Sequence, residues 1–152
     1  MEPRRALVRE PGDSYSGCIS SHPLRSTIDL SLAQRQHAEY CRTLSELGLE
    51  VIRLPRDDVR PDSCFVEDNA VIHGGKGLIC RMARESRRGE EEAVEAFLKD
   101  HLPVRRAVPP ATVEGGDVIH LPKRLISGLT ERTNKEGIAQ MSLWIGVKVD
   151  TI

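Results

Sequence analysis

Three acids fall within a few residues in Pro61-Asp62-Ser63-Cys64-Phe65-Val66-Glu67-Asp68. If the segment enters a strand, side-chain alternation sends Glu67 and Asp68 to opposite faces, so at most two of the three converge on one ligand, with Asp62 arriving from the turn. Paired acceptors of this kind suit a planar cation. A guanidinium presents several N–H donors in a fixed fork and stays protonated at physiological pH. The plain alternative is a solvated acidic turn. Two further segments, Glu85-Ser86-Arg87-Arg88-Gly89-Glu90 and Glu131-Arg132-Thr133-Asn134, place arginines just before helical stretches. The macrodipole mildly disfavours a cation there, which invites a carboxylate ligand as the explanation, although a surface arginine is the commoner case. Val113-Glu114-Gly115-Gly116-Asp117 sets paired glycines between two acids. That composition fits either a carboxylate aimed by a tight turn, able to orient a histidine, or an ordinary acidic turn.

These residues need elements to hold them. Ala6 to Val8 reads as a strand, and the Gly, Ser and Pro content from Pro11 to Pro23 reads as a long loop of the kind that often forms a lid. Ser31 with Gln34 fits a capping box, and apolar residues recur at helical spacing through Leu47 until Gly48 ends them. Leu49 to Leu54 follows as a strand. Phe65 to Ile72 and Gly77 to Arg81 flank His73-Gly74-Gly75-Lys76, a hairpin signature. Gly89 to His101 carries Ala93, Val94, Phe97 and Leu98 on one helical face, and Val104 to Val108 is a short strand. A third round comprises strands Asp117 to Leu121 and Leu125 to Leu129, a helix from about Thr133, and a strand from Gly146 to Thr151. Strand, strand, helix, strand at a period of about 50 residues predicts a repeat architecture, with an ordinary α/β sandwich as the alternative.

Composition bounds the function. The 152 residues are 39% hydrophobic, enough for one real core without disulfides or metal. The 22 basic and 23 acidic residues are interspersed and give a net charge of −1, which disfavours a nucleic-acid binder. No apolar stretch approaches the ~20 residues of a membrane-spanning helix. Cys18, Cys41, Cys64 and Cys80 form no C-x-x-C pair. The expectation is a cytoplasmic protein with reduced thiols and neither metal nor membrane.

Taken in order, Pro23-Leu24-Arg25-Ser26, Pro61-Asp62 with Phe65-Val66-Glu67-Asp68, Ser86-Arg87-Arg88, Glu114-Gly115-Gly116-Asp117 and Arg132-Thr133-Asn134 resemble the dimethylarginine dimethylaminohydrolase family of guanidino-group modifying enzymes. The resemblance spans nearly the whole chain. It implies the pentein fold, an α/β propeller of five ββαβ modules around a central site. About three blades would be present, at roughly 1–60, 61–110 and 111–152. It further implies that Asp62 and Glu67, with Asp68 adjacent, bind the substrate guanidinium. Arg87 and Arg132 would hold the amino-acid carboxylate, Leu24 would close the entrance, and Glu114 would orient the catalytic histidine. The implied substrate is a methylated arginine, released as citrulline and methylamine or dimethylamine without a cofactor.

In the family the histidine follows the third blade and the cysteine nucleophile lies near the C-terminus, so these 152 residues are expected to lack both. Cys64 would be a poor substitute, because the neighbouring acids suppress its thiolate. Cys41 and Cys80 read as buried thiols, and Cys18 as a loop residue. His37, His101, His73 and His22 read as helix, helix-end, turn and loop residues. His120, on a strand after Glu114, stays open as a candidate. Two alternatives are a noncatalytic module that binds guanidino compounds or self-associates through exposed blade edges, and another pentein such as an arginine deiminase or amidinotransferase.

Overall fold

The structure, a computed structural model, describes residues 4–152. It divides into two compact units, Met1–Val66 and Glu67–Ile152.

In the first unit, strand β1 (Arg5–Val8) pairs in parallel with β2 (Glu50–Arg53) in the register Arg5 opposite Glu50 through Val8 opposite Arg53. Helix α1 (Leu30–Glu46) forms the crossover. It begins earlier than the Ser31–Gln34 capping box requires. Asp29, in extended conformation, is the N-cap, and its carboxylate accepts the Leu32 N–H at 2.9 Å. Ser31 therefore lies inside the first turn, and Gln34 donates instead to the Pro11 carbonyl at 3.1 Å. Gly48 ends the helix as expected, at φ +85°. The expected first round of the repeat has only one strand before its helix. Residues 9–29 contain single turns at Tyr15–Gly17 and Arg25–Thr27 and no strand. Their Gly, Ser and Pro content offers no alternating apolar face for a sheet to bury.

The second unit holds two ββαβ modules. Strands β3 (Ala70–His73) and β4 (Lys76–Ile79) form an antiparallel hairpin, and β5 (Val104–Arg106) adds to β4 in parallel after helix α2 (Glu92–Leu98). The two-residue turn puts Gly74 and Gly75 at φ +57° and +76°, the primed geometry that glycine pairs supply without strain. The pattern repeats with β6 (Val118–Leu121), β7 (Arg124–Ser127), α3 (Lys135–Ile145) and β8 (Lys148–Thr151). Asn134 caps α3 by accepting the Gly137 N–H at 2.8 Å, and Gly146 closes it in the left-handed region.

Alternating strand residues and one face of α3 make the core: Val71, Leu78, Val118, Leu125, Ile138 and Met141 are all buried. Helix α3 also packs on the preceding module. A Cβ on Gly137 would lie 2.1 Å from the Thr112 carbonyl oxygen, and the Trp144 indole donates to the Gly77 carbonyl at 2.8 Å. Only glycine permits that close approach of helix to main chain.

One expected element differs in a way that matters for the chemistry. The strand foreseen from Phe65 starts only at Ala70, and Val66–Asn69 is a single 3-10 turn. The bend begins where the Phe65 N–H donates to the Asp62 carbonyl at 3.0 Å. Glu67 and Asp68 are therefore not set on opposite faces by strand alternation. Successive residues of such a turn point roughly 120° apart.

The cap assignment is directly measurable. Asp29→Ala is expected to lower stability by ~1 kcal/mol, as loss of a helix N-cap does, whereas Ser31→Ala should change it by less than ~0.5 kcal/mol. Denaturant unfolding of the two variants distinguishes Asp29 from Ser31 as the cap.

Candidate active site

The second unit brings together four of the expected site residues, Asp68, Arg87, Glu114 and Arg132, with Asp117 beside them. Arg87 is 5% exposed and faces three carboxylates. Its Nε and Nη2 meet both oxygens of Glu90, with Nη2 at 2.8 Å, while Nη1 donates to Asp68 Oδ2 at 2.9 Å and to Glu114 Oε2 at 3.2 Å. Arg132 approaches from the loop before α3, with Nη1 3.6 Å from Glu114 Oε2 and Nη2 3.8 Å from Asp117 Oδ1. Burial opposes the Arg87 charge and is the largest single influence on it. The bonds from Glu90 and Asp68 outweigh that influence and raise its proton affinity above the ordinary arginine level.

Backbone geometry explains why these groups meet. Asp68 lies in the turn before β3, and Arg87 follows β4 in another single turn, Glu85–Arg87. Glu114 is placed by an isolated antiparallel bridge between Arg81 and Val113, one residue away. The two glycines after Glu114 let this turn lie directly against the Glu67 main chain and the Asp68 side chain. A Cβ on Gly115 would sit 2.1 Å from the Glu67 carbonyl oxygen, and one on Gly116 would sit 2.4 Å from Asp68 Oδ1. The Gly116 N–H instead donates to that oxygen at 3.2 Å. Close backbone approach, anticipated from the Glu-Gly-Gly-Asp spacing, is what the structure shows.

Glu114 differs from its neighbours. Its side chain is 1% exposed, and Oε1 accepts no hydrogen bond from the described residues. Burial raises its carboxyl proton affinity, opposed by Arg87, reinforced by the Asp68 charge, opposed in turn by Arg132 and reinforced again by Asp117. An unmatched buried acceptor costs about 1–3 kcal/mol, which marks Oε1 as the unsatisfied atom of this cluster among the described residues.

The remaining expected residues are placed as follows. Glu67 is exposed, beside Asp68 in the turn. In the first unit, Asp62 is 5% exposed and accepts the Ile19 N–H at 3.1 Å, which ties the acidic turn to the loop bearing Leu24; Leu24 itself is 62% exposed. His120 lies beside His73 with the rings tilted at 34° and their centroids 5.9 Å apart. Partial burial and then His73 lower its pKa, with Glu67 opposing. Cys41 Sγ lies 3.7 Å from His37 Nδ1, but the cysteine is 1% exposed, closed to a substrate carbon. Burial pushes the Cys80 thiol strongly up, and burial with the Asp62 charge pushes up Cys18, the opposite of what a nucleophile requires. Among the described residues, no group of three or more His, Cys, Asp or Glu could hold a metal ion, and no helix is long and apolar enough to cross a membrane.

Sequence reasoning missed Glu90, which is fully buried against Arg87. Its signal was the Arg87–Glu90 spacing, an i,i+3 pair read only as part of an arginine-bearing segment.

Two ββαβ modules with an acid- and arginine-rich cluster at their strand ends define a pentein-type α/β protein, about three of the five blades of that fold. Known proteins specify it further. Residues 19–151 match the family described as N,N dimethylarginine dimethylhydrolase, eukaryotic. The N(G),N(G)-dimethylarginine dimethylaminohydrolase of Pseudomonas aeruginosa is 36% identical over 91% of this chain and 55% of its own length, and that of Streptomyces coelicolor is 34% identical over 93% and 55%. The chain belongs to the dimethylarginine dimethylaminohydrolase family. It spans little more than half the length of these relatives. The P. aeruginosa enzyme in a cysteine-to-serine variant complexed with citrulline superimposes with a TM-score of 0.93 at 32% identity, over 100% of this chain and 61% of that one. A histidine-to-glycine variant of a dimethylarginine dimethylaminohydrolase, as an adduct with S-methyl-L-thiocitrulline, also gives 0.93 at 32% identity over 98% and 60%. The N-terminal domain of a cyanobacterial arginine dihydrolase, at 18% identity and a TM-score of 0.84, shares the fold.

The raised Glu114 carboxyl has a measurable consequence. A group with its folded pKa above its unfolded value contributes stability that is present at low pH and is lost as pH rises through the folded pKa. Glu114→Gln should therefore gain stability relative to the parent as pH rises through and above the ordinary glutamate range. Thermal unfolding of both proteins across the acid range should show the difference growing with pH; a constant difference would remove Glu114 as the titrating group.

Proposed function

We propose that this chain carries substrate-binding groups of an enzyme that hydrolyses Nω-methylated arginines to citrulline and methylamine or dimethylamine. The observation that supports this most is the buried cluster in which Arg87 bridges Asp68 and Glu114 while Glu114 Oε1 faces no donor among the described residues. Four carboxylates, Asp68, Glu90, Glu114 and Asp117, stand against two guanidiniums, Arg87 and Arg132. A surplus of negative charge suits a permanently cationic headgroup.

The two arginines take different parts in this reading. Arg132, with 55% of its side chain exposed, has donors to spare and grips the substrate carboxylate. Arg87, which the resemblance also assigned to the carboxylate, is enclosed by three acids and in this reading holds Asp68 and Glu114 in place instead. Glu67 and Asp68, with Asp62, are the proposed acceptors for the guanidinium, and Leu24 the residue that closes the site from its loop. Glu114 Oε1 accepts the N–H of a catalytic imidazole and fixes its orientation.

The nucleophilic cysteine and that histidine are proposed to come from chain beyond these 152 residues. Cys80 and Cys18 have raised thiol pKa values, and Cys41 is closed to substrate. The cysteine thiolate attacks the guanidinium carbon, and the methylated amine departs with a proton from the imidazolium. Water then attacks the covalent thiouronium carbon and gives a proton to the now neutral imidazole; the C–S bond breaks, returning thiolate and imidazolium and releasing citrulline. The four free thiols fit a cytoplasmic setting.

Incubating the whole protein that carries this chain with asymmetric dimethylarginine should yield citrulline and dimethylamine in equal amounts. Calorimetric binding without citrulline would instead identify a noncatalytic guanidino-binding module. Glu67→Gln should weaken substrate binding by ~1–3 kcal/mol, the value of a hydrogen bond to a charged group. An unchanged Michaelis constant would remove Glu67 from the guanidinium site.

A further inference from the structure

Asp117, the last residue of the Glu-Gly-Gly-Asp turn, has no part in the reading above beyond its charge, yet its surroundings are unusually specific. Its side chain is 9% exposed. Oδ2 accepts from two hydroxyls, Thr130 Oγ1 at 2.8 Å and Thr133 Oγ1 at 2.7 Å. Oδ1 is turned to Arg132, 3.8 Å from Nη2. Each threonine has a second task. Thr130 Oγ1 accepts the backbone N–H groups of Arg132 and Thr133, both at 3.0 Å, and Thr133 Oγ1 accepts the Glu114 N–H at 3.1 Å. Asn134 completes the clamp by accepting the Thr112 N–H at 3.1 Å.

Asp117 thus restrains Arg132 at both ends, while Glu114 Oε2, 3.6 Å from Nη1, faces the other side of the guanidinium. The Arg132 main chain is fixed by Thr130, which is bonded to Asp117 Oδ2, and its guanidinium is drawn toward Asp117 Oδ1. At 3.8 Å the ion pair orients the guanidinium without consuming its N–H donors, which remain available for a bidentate partner. A long, half-exposed arginine otherwise loses considerable side-chain freedom on binding, and restraining it beforehand lowers that loss.

We propose that Asp117, anchored by the Thr130 and Thr133 hydroxyls, is a positioning residue that sets selectivity for substrates bearing an α-carboxylate by presenting Arg132. This rests on the reading of Arg132 as the carboxylate grip. Asp117→Asn keeps an oxygen for both threonine hydroxyls and removes one of the two charges that face Arg132, leaving that of Glu114. Thr133→Val removes the hydroxyl at nearly constant volume, and Thr133→Ser restores it.

The test uses the whole protein and two ligands, asymmetric dimethylarginine as substrate and its decarboxylated analogue as competitive inhibitor. Asp117→Asn and Thr133→Val should each raise the Michaelis constant for dimethylarginine about fivefold. The inhibition constant of the decarboxylated analogue should stay within about twofold, and Thr133→Ser should recover the parent ratio. Equal losses on both ligands, or no loss on either, would overturn the proposal by leaving Asp117 a structural residue alone. Arg132→Ala separates the two levels. If it loses discrimination while Asp117→Asn keeps it, the role of Asp117 falls and the carboxylate grip stands; if it keeps discrimination, both fall. Should Thr133→Val fail to fold, Asp117→Asn decides.

Discussion

The buried Arg87 guanidinium is the constraint on which the candidate site depends. Three acids from separate stretches of chain, Asp68, Glu90 and Glu114, converge on it, two of them essentially without solvent contact. Carboxylates packed this closely in a poorly hydrated place repel strongly, and each is costly to bury alone. Arg87 makes the convergence possible because its fork offers bonds in several directions at once. Glu90 occupies the Nε and Nη2 edge, and Nη1 is left to bridge Asp68 and Glu114. The cation does not cancel all of the negative charge around it, since three carboxylates face one guanidinium.

Main-chain contacts set the spacing within which that electrostatic arrangement works. Gly115 and Gly116 let the third module's turn lie against the Glu67 carbonyl and the Asp68 side chain. Any side chain there would push the acids apart. The Arg81–Val113 bridge and the threonine hydroxyls around Asp117 then hold the other side of the turn. Glu114 is consequently flanked by backbone contacts on both sides.

Much of this was legible in the sequence. The hairpin at Gly74-Gly75, the helix stop at Gly48, the order of modules in 67–152 and the close approach at Gly115-Gly116 all follow from residue types whose local physics is strong. The family could be read from motifs because chemistry fixes residue identity at fixed spacing. What was less legible depends on competition between neighbours. Ser31 and Asp29 are both good caps, and the choice rests on where the extended chain turns. The apolar Phe65-Val66 pair suggested a strand, while the backbone bond from Phe65 to Asp62 made a turn. Glu90 escaped notice because a buried acid has no composition signature until its partner is in place.

Helix α3 does more than complete its own module. Through Gly137, pressed on the Thr112 carbonyl, and Trp144, bonded to Gly77 in the middle sheet strand, it serves as a wall for the module before it. Melting that helix would strip cover from Leu78 and Val71 as well as from its own strands, so the two modules should lose their order in a single event. A lesion in α3, distant in sequence from Asp68 and Arg87, would then be felt as a loosening of the acid cluster itself.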